Sequence, residues 1–179
     1  RGLKSEGIKN KIQSLRKVCP KIAIRTSIIV GFPGETEVEF EATMTLVKQI
    51  GFAQAYSFKY SSRPGTPAAS LGNHVDEAVK GERLLTLQAL LSDQQHKFND
   101  SMIGRRLEVL LEKPGRYPRQ LVGRSPYLQP VHVVSKDDAV PPRIGELIKV
   151  EITGSCPNSL AGVLDTNVDG DGIGMENFV

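Results

Sequence analysis

The stretch IIVGFPGET, Ile28 to Thr36, constrains this chain more than any other, because it packs a strand, a sharp turn and a helix start into nine residues. The apolar run Ile28, Ile29, Val30 stops abruptly at Gly31, the pattern of a strand buried on both faces. Gly31 and Gly34 allow backbone angles that other residues resist, and Pro33 fixes its own φ between them, so the turn is expected to be stiff. Thr36 followed by Glu39 is a capping box, which starts a new helix beside the end of that strand. Ligands of α/β sheets and barrels sit at such ends.

The neighbouring segments repeat the pattern. Ile8, Ile12, Leu15 and Val18 hold helical spacing up to Cys19-Pro20, and residues 22–30 lead as a strand into the glycine turn. After the capping box, Phe40, Met44, Val47 and Ile50 hold helical spacing until Gly51 supplies a C-cap, and residues 54–60 alternate as a strand does. Helix, strand, helix, strand predicts βα crossover units and a parallel sheet, an α/β architecture. The loop Tyr60 to Ser70 follows the second strand and is expected on the same rim as Gly31 to Glu35. A long helix over 75–99 follows, on the pattern Leu84, Leu87, Leu91 and Phe98.

From Leu107 the texture changes to short β runs, LEVLL, QLVG, VHVV, LIKVEI and LAGVL. About five short strands in some sixty residues predict a small closed all-β barrel, because a flat sheet of that size leaves its edges unprotected. The expected organisation is a first domain over 1–100, a barrel over 104–164 and a flexible tail over 165–179. Charge supports the last division: the formal +3 conceals a body of +7 and a tail of four acids with no base.

No apolar run approaches the roughly 18 to 20 residues that span a bilayer and no signal pattern opens the chain, so a soluble, cytoplasmic monomer is expected. Cys19 and Cys156 have no metal-ligand spacing and are read as reduced structural thiols. The chain starts at Arg1, already on the approach to a helix, and is expected to be a fragment.

Two groups of residues suit ligands. On the rim, Arg63 stands just before the turn Pro64-Gly65-Thr66-Pro67, where a carboxylate or phosphate can be gripped bidentately, and Glu35 stands where helix capping competes with a ligand role. In the barrel, Lys113, Arg116, Arg119, Arg124 and Lys136 are five bases with no acid between them, interleaved with Tyr117, Tyr127 and His132. Cations for phosphates beside rings for unpaired bases are what loop or single-stranded RNA needs.

IIVGFPGET followed by YSSRPGTPAA, a Leu-rich helix and a terminal β region resembles the C-terminal part of a radical S-adenosylmethionine methylthiotransferase of the tRNA-modifying branch, the MiaB-like family. The resemblance implies that residues 1 to about 100 are the last βα units of a partial (β/α) radical enzyme barrel. It implies that 104–164 are a small OB-like RNA-binding barrel, a TRAM domain. It further implies S-adenosylmethionine as cofactor, with Ile29, Gly31, Phe32, Pro33, Gly34, Glu35 and Arg63 at its site. In the wider radical enzyme class an Ile, a Gly and a Glu contact the adenine; here Glu35 follows with one extra residue in between.

Two 4Fe-4S clusters are implied for the intact enzyme, yet the three-cysteine motif is absent from this sequence, so it is expected to be inactive alone. The implied partner is a tRNA anticodon stem-loop, met by Lys113, Arg116, Arg119, Arg124, Tyr127 and His132, and the implied reaction is methylthiolation of a prenylated adenosine next to the anticodon. Arg25-Thr26-Ser27 looks more like the related branch that modifies a ribosomal protein, whereas RPGTPAA and PNSLAG look like the tRNA branch. A non-catalytic RNA-binding module is the remaining alternative.

Asp165, Asn167, Asp169, Gly170 and Glu176 fit the calcium-loop pattern D-x-[DN]-x-[DN]-G-x5-E. Such a loop needs a helix on each side; only three residues follow Glu176 and a strand precedes Asp165, so chance acidity in the tail is the favoured reading.

Overall fold

The computed structural model describes residues 5–134 and 142–164. The chain divides into two compact units, Arg1–Phe98 and Asn99–Val179.

In the first unit the elements run α1 (Ser5–Val18), β1 (Arg25–Val30), α2 (Glu37–Ile50), β2 (Gln54–Lys59) and α3 (Glu77–Asp100). β1 and β2 pair in parallel from Arg25↔Gln54 to Val30↔Lys59, as the alternating order requires. The capping box forms: the Glu39 amide donates to Thr36 Oγ1 at 3.3 Å, and the Thr36 amide donates to the Glu39 carboxylate at 2.8 Å. At the other end Gly51 adopts φ 63°, and its amide closes on Val47 O. Between the caps Phe40, Met44, Val47 and Ile50 are buried and pack with Val30, Phe52, Leu87 and Leu91. Each such side chain stabilises the fold by roughly 1.5–3 kcal/mol.

Two expectations fail here, for physical reasons. Only half of the α1 stripe is used: Ile8 and Ile12 pack on the core, while Leu15 and Val18 are exposed. The last turn of α1 is fastened by Arg16 instead, whose Nη2 donates to Ile50 O at 2.6 Å, a carbonyl at the end of α2. β1 is not buried on both faces. Ile28 and Val30 meet the helices, but Ile29 is 56% exposed, and its register partner Phe58 is 54% exposed. The sheet has two strands, and among the described residues of this unit nothing covers its second face.

The second unit is a closed barrel of β3 (Arg106–Pro114), β4 (Gln120–Arg124), β5 (Pro130–Val134), β6 (Leu147–Cys156) and β7 (Ser159–Leu164), in the order β3-β4-β5-β7-β6. All five strands foreseen in the sequence are present, and closure removes the sheet edges. The β5–β7 pair is parallel and the others antiparallel. Val109, Leu111, Val131, Val133, Val150, Ile152 and Leu160 fill the interior. Gly123 and Gly162 face the same way, and a Cβ on Gly123 would stand 2.4 Å from Leu110 O. Asn99, 2% exposed, donates from Nδ2 to Cys156 O and Pro157 O and accepts from Gln129 Nε2, tying two barrel turns together.

Cys19 and Cys156 are free and exposed rather than packed as structural thiols. Among the described residues no helix is long and apolar enough to cross a membrane. Lys136 and the calcium-loop candidates Asp165, Asn167, Asp169, Gly170 and Glu176 lie outside the described residues.

Candidate functional site

The turn after β1 is built by contacts that reach far along the chain. Gly31 and Gly34 adopt φ of 72° and 84°, the left-handed region that glycine enters without strain. The Gly31 amide donates to Glu35 Oε2 at 2.7 Å, and the same oxygen accepts from Arg83 Nη1 at 2.9 Å. Arg83 Nη1 also donates to Glu35 O, and Nη2 donates to Glu37 Oε2 at 2.9 Å. The guanidinium lies 5.3 Å from the Phe40 ring centroid. Burial works against the Arg83 charge, yet hydrogen bonds to Glu37 and Glu35 outweigh it and hold the group above the ordinary arginine value.

Glu35 therefore does something the sequence did not suggest. Helix capping falls to Thr36 and Glu39, and Glu35 spends its carboxylate on closing the turn and pairing with Arg83. Neither Arg83 nor its neighbour Lys80 was singled out from the sequence. The available signal was their position: both stand on the core-facing stripe of α3 that carries Leu84, Leu87 and Leu91, where a base needs a reason.

Lys80, 6% exposed, runs under Gly31 so closely that a Cβ there would lie 2.3 Å from its Cγ. Its ammonium donates to Glu77 Oε1 at 2.8 Å and stands 5.8 Å from the Tyr60 ring centroid. Lys59 donates to the other Glu77 oxygen at 3.2 Å. Lys80 first, then Lys59, hold the Glu77 carboxyl below the ordinary carboxylate range. Tyr60 in turn sets its ring against Phe32, with centroids 5.2 Å apart at 70°.

Between the turn after β1 and the loop after β2 lies an open groove of about 900 Å³. Of the seven rim residues named from the sequence, Ile29, Phe32, Pro33, Gly34, Glu35 and Arg63 line it, and Gly31 is buried behind them. Phe58, Lys59, Tyr60 and Ser61 at the end of β2, with Glu39 and Thr43 of α2, complete the wall. The loop carrying Arg63 is folded on itself, since the Arg63 carbonyl accepts from both the Thr66 amide and its hydroxyl.

On the barrel, register gathers part of the basic set. Lys113 and His132 both pair with Val122, so they stand on one face two strands apart, about 10 Å at ~4.8 Å per strand. Lys113 faces that way because Glu112 is an extra residue in β3; with unbroken alternation Lys113 would share the inward face of Leu111. Arg124 is committed within the barrel, donating to Glu112 at 3.1 Å and to Leu128 O. Arg116 and Arg119 stand exposed in the β3–β4 turn, Arg119 at φ 59°. Gln120 fixes that turn by accepting from the Arg116 and Tyr117 amides. Tyr127 is half-buried in the separate β4–β5 turn.

Residues 100–164 match the TRAM domain family. The chain is 57% identical, over 153 residues, to a tRNA-2-methylthio-N(6)-dimethylallyladenosine synthase of Maricaulis maris (strain MCS10). The match takes in 86% of this chain and 33% of that relative's length. The chain thus carries a TRAM domain and is similar along most of its length to a MiaB-like methylthiotransferase. Its TRAM domain is the closed barrel, and its βα part presents the groove. The two cysteines of this chain fall one in each unit, so within the sequence there is no set of three thiols for an iron–sulfur cluster.

Proposed function

We propose that this chain is the C-terminal part of a cytoplasmic tRNA methylthiotransferase, supplying one wall of an S-adenosylmethionine site and a TRAM barrel that holds the tRNA anticodon stem-loop. The observation that carries this reading is the groove at the C-terminal ends of two parallel strands, in a chain so similar to a relative named as a tRNA-2-methylthio-N(6)-dimethylallyladenosine synthase.

The lining suits the cofactor. Ile29, Phe32 and Phe58 give apolar surface to a purine ring, and Arg63 gives a cation at the edge. Gly31 and Gly34 let the backbone turn sharply there, and Glu35 keeps Gly31 in place through its carboxylate. Bound S-adenosylmethionine supplies a radical and a methyl group in this chemistry, and iron–sulfur clusters supply the electron and the sulfur. The cluster ligands come from sequence other than this chain's, because Cys19 and Cys156 do not fit such a set. Lys113, Arg116, Arg119, Arg124, Tyr127 and His132 meet the RNA, and the modified base is a prenylated adenosine beside the anticodon. The ribosomal-protein alternative rests on Arg25-Thr26-Ser27 alone, and similarity to a relative named for a tRNA product weighs against it.

The test uses the full-length gene product. Its affinity for an anticodon stem-loop should fall by roughly a hundredfold or more from 50 to 200 mM salt. Replacing Arg116 and Arg119 by Ala should lower the log–log salt slope by about 2. Salt-independent binding, or a slope the double variant leaves unchanged, would sink the RNA reading. Offering tRNA and ribosomal protein in parallel to the reduced, cluster-loaded enzyme decides between the two branches.

A further inference from the structure

Two buried cations at the rim are paired in opposite ways. Arg83 meets two carboxylates through its two terminal nitrogens, the largely buried Glu35 and the exposed Glu37, while its Nε has no hydrogen-bond partner among the described residues. Lys80 is as deeply buried, but among the described residues the one carboxylate on its ammonium is Glu77, whose side chain is 69% exposed. A buried charge is normally matched by a partner that is buried with it; an exposed acid is a weakly held partner that solvent and solutes can replace. Lys59 reaches the same carboxylate from β2, so two ammonium groups share one negative charge and leave an excess of one positive.

Lys80 does not need Glu77 to stay in place. Its methylenes pack beneath Gly31 and its ammonium stands by the Tyr60 ring. Lys59 is the last residue of β2 and Lys80 stands in the first turn of the 24-residue α3, where the helix dipole favours anions. Lys59 also lines the groove. Two compact ammonium groups without a planar fork match a phosphate as point charges.

We infer that Lys59 and Lys80 form a phosphate site at the mouth of the groove, screened by the Glu77 carboxylate in the unbound protein and taken by a backbone phosphate of the RNA substrate when it binds. The inference rests on the RNA reading above and adds a contact outside the barrel. Glu77 swings away as the phosphate enters, so the exchange sets one weak ion pair against a stronger one, and Glu77 discriminates against solutes too weakly bound to displace it.

The test again uses the full-length protein with an anticodon stem-loop, titrated over a series of salt concentrations. Lys59→Met should weaken binding about tenfold at low salt and lower the log–log slope by about 1. Glu77→Gln should tighten binding about threefold, whereas Glu82→Gln, an exposed acid five residues along α3, should leave it unchanged. Lys59 and Glu77 are both exposed enough for these variants to fold, which Lys80→Met need not. If Glu82→Gln tightens binding as much as Glu77→Gln, the effect is only the general field and the inference fails. It fails equally if Lys59→Met leaves the RNA affinity intact and raises the Kd for S-adenosylmethionine instead. Wild-type protein that binds no stem-loop would sink the RNA reading itself, whereas wild-type binding with indifferent variants sinks this inference alone.

Discussion

The turn after β1 and the turn between β3 and β4 both present polar atoms on a stiff backbone, and they are stiffened by opposite means. The first is held from a distance: Arg83, 48 residues beyond Glu35, grips its carboxylate and its carbonyl, and Lys80 fills the space behind Gly31. The second is held from within, by Gln120 reaching back to amides three and four residues away and by the strand ladder on either side. A distant clasp makes the rim a property of the whole βα unit. A local one makes the barrel turn a property of its own hairpin.

That contrast should break most visibly at Arg83. Arg83→Met leaves Glu35, which is only 14% exposed, without its cation, and removing one partner of a buried pair costs about 3–5 kcal/mol. Calorimetry or urea titration should show the βα unit losing stability while the barrel keeps its own transition. Equal loss in both would contradict the separation drawn above. Gly123→Ala is the reciprocal probe: its Cβ would meet Leu110 O, which cannot move without disturbing the ladder, and overpacking of this kind costs about 1–3 kcal/mol. Here the barrel should weaken and the groove's ligand affinity should not.

The smallest expected effect is on pH dependence. Glu39, held low by the Thr36 backbone and then its hydroxyl, and Glu77, held low by Lys80 and then Lys59, both have folded pKa values below the unfolded 4.5. Their contribution is therefore present above 4.5 and lost as pH falls through the folded values. The midpoint difference between wild type and Thr36→Val should shrink as the solution is acidified below that value; a constant difference down to the folded values would remove Glu39 from the account.

How much of this could be read from the sequence follows the same division. The capping box at Thr36, the C-cap at Gly51 and the buried stripe of α2 are local patterns, and each took its foreseen form. The five barrel strands were visible as short apolar runs. Arg83's place on the core-facing stripe of α3 marked it as a base in need of a partner, but the partner lies across the fold and nothing near it in sequence names it. The exposed Ile29 was misread for a related reason: a run of three apolar residues reports that a strand has two apolar faces, not that its own unit covers both. At Glu35, proximity to the helix start suggested a contest between cap and ligand, while the structure uses it as a strut for Gly31.

The extra residue at Glu112 has a consequence for how this barrel tolerates change. Strand pairing counts in twos, so one surplus residue reverses the sense of everything after it. Deleting Glu112 would give β3 and β4 a more regular ladder and leave Lys113 opposite Val122 on the outer face, while the same deletion would strip Arg124 of its carboxylate. A regular ladder would lose the outer ion pair; in this strand an irregularity is the device that sets an acid beside Lys113 on the outside, where Arg124 takes it.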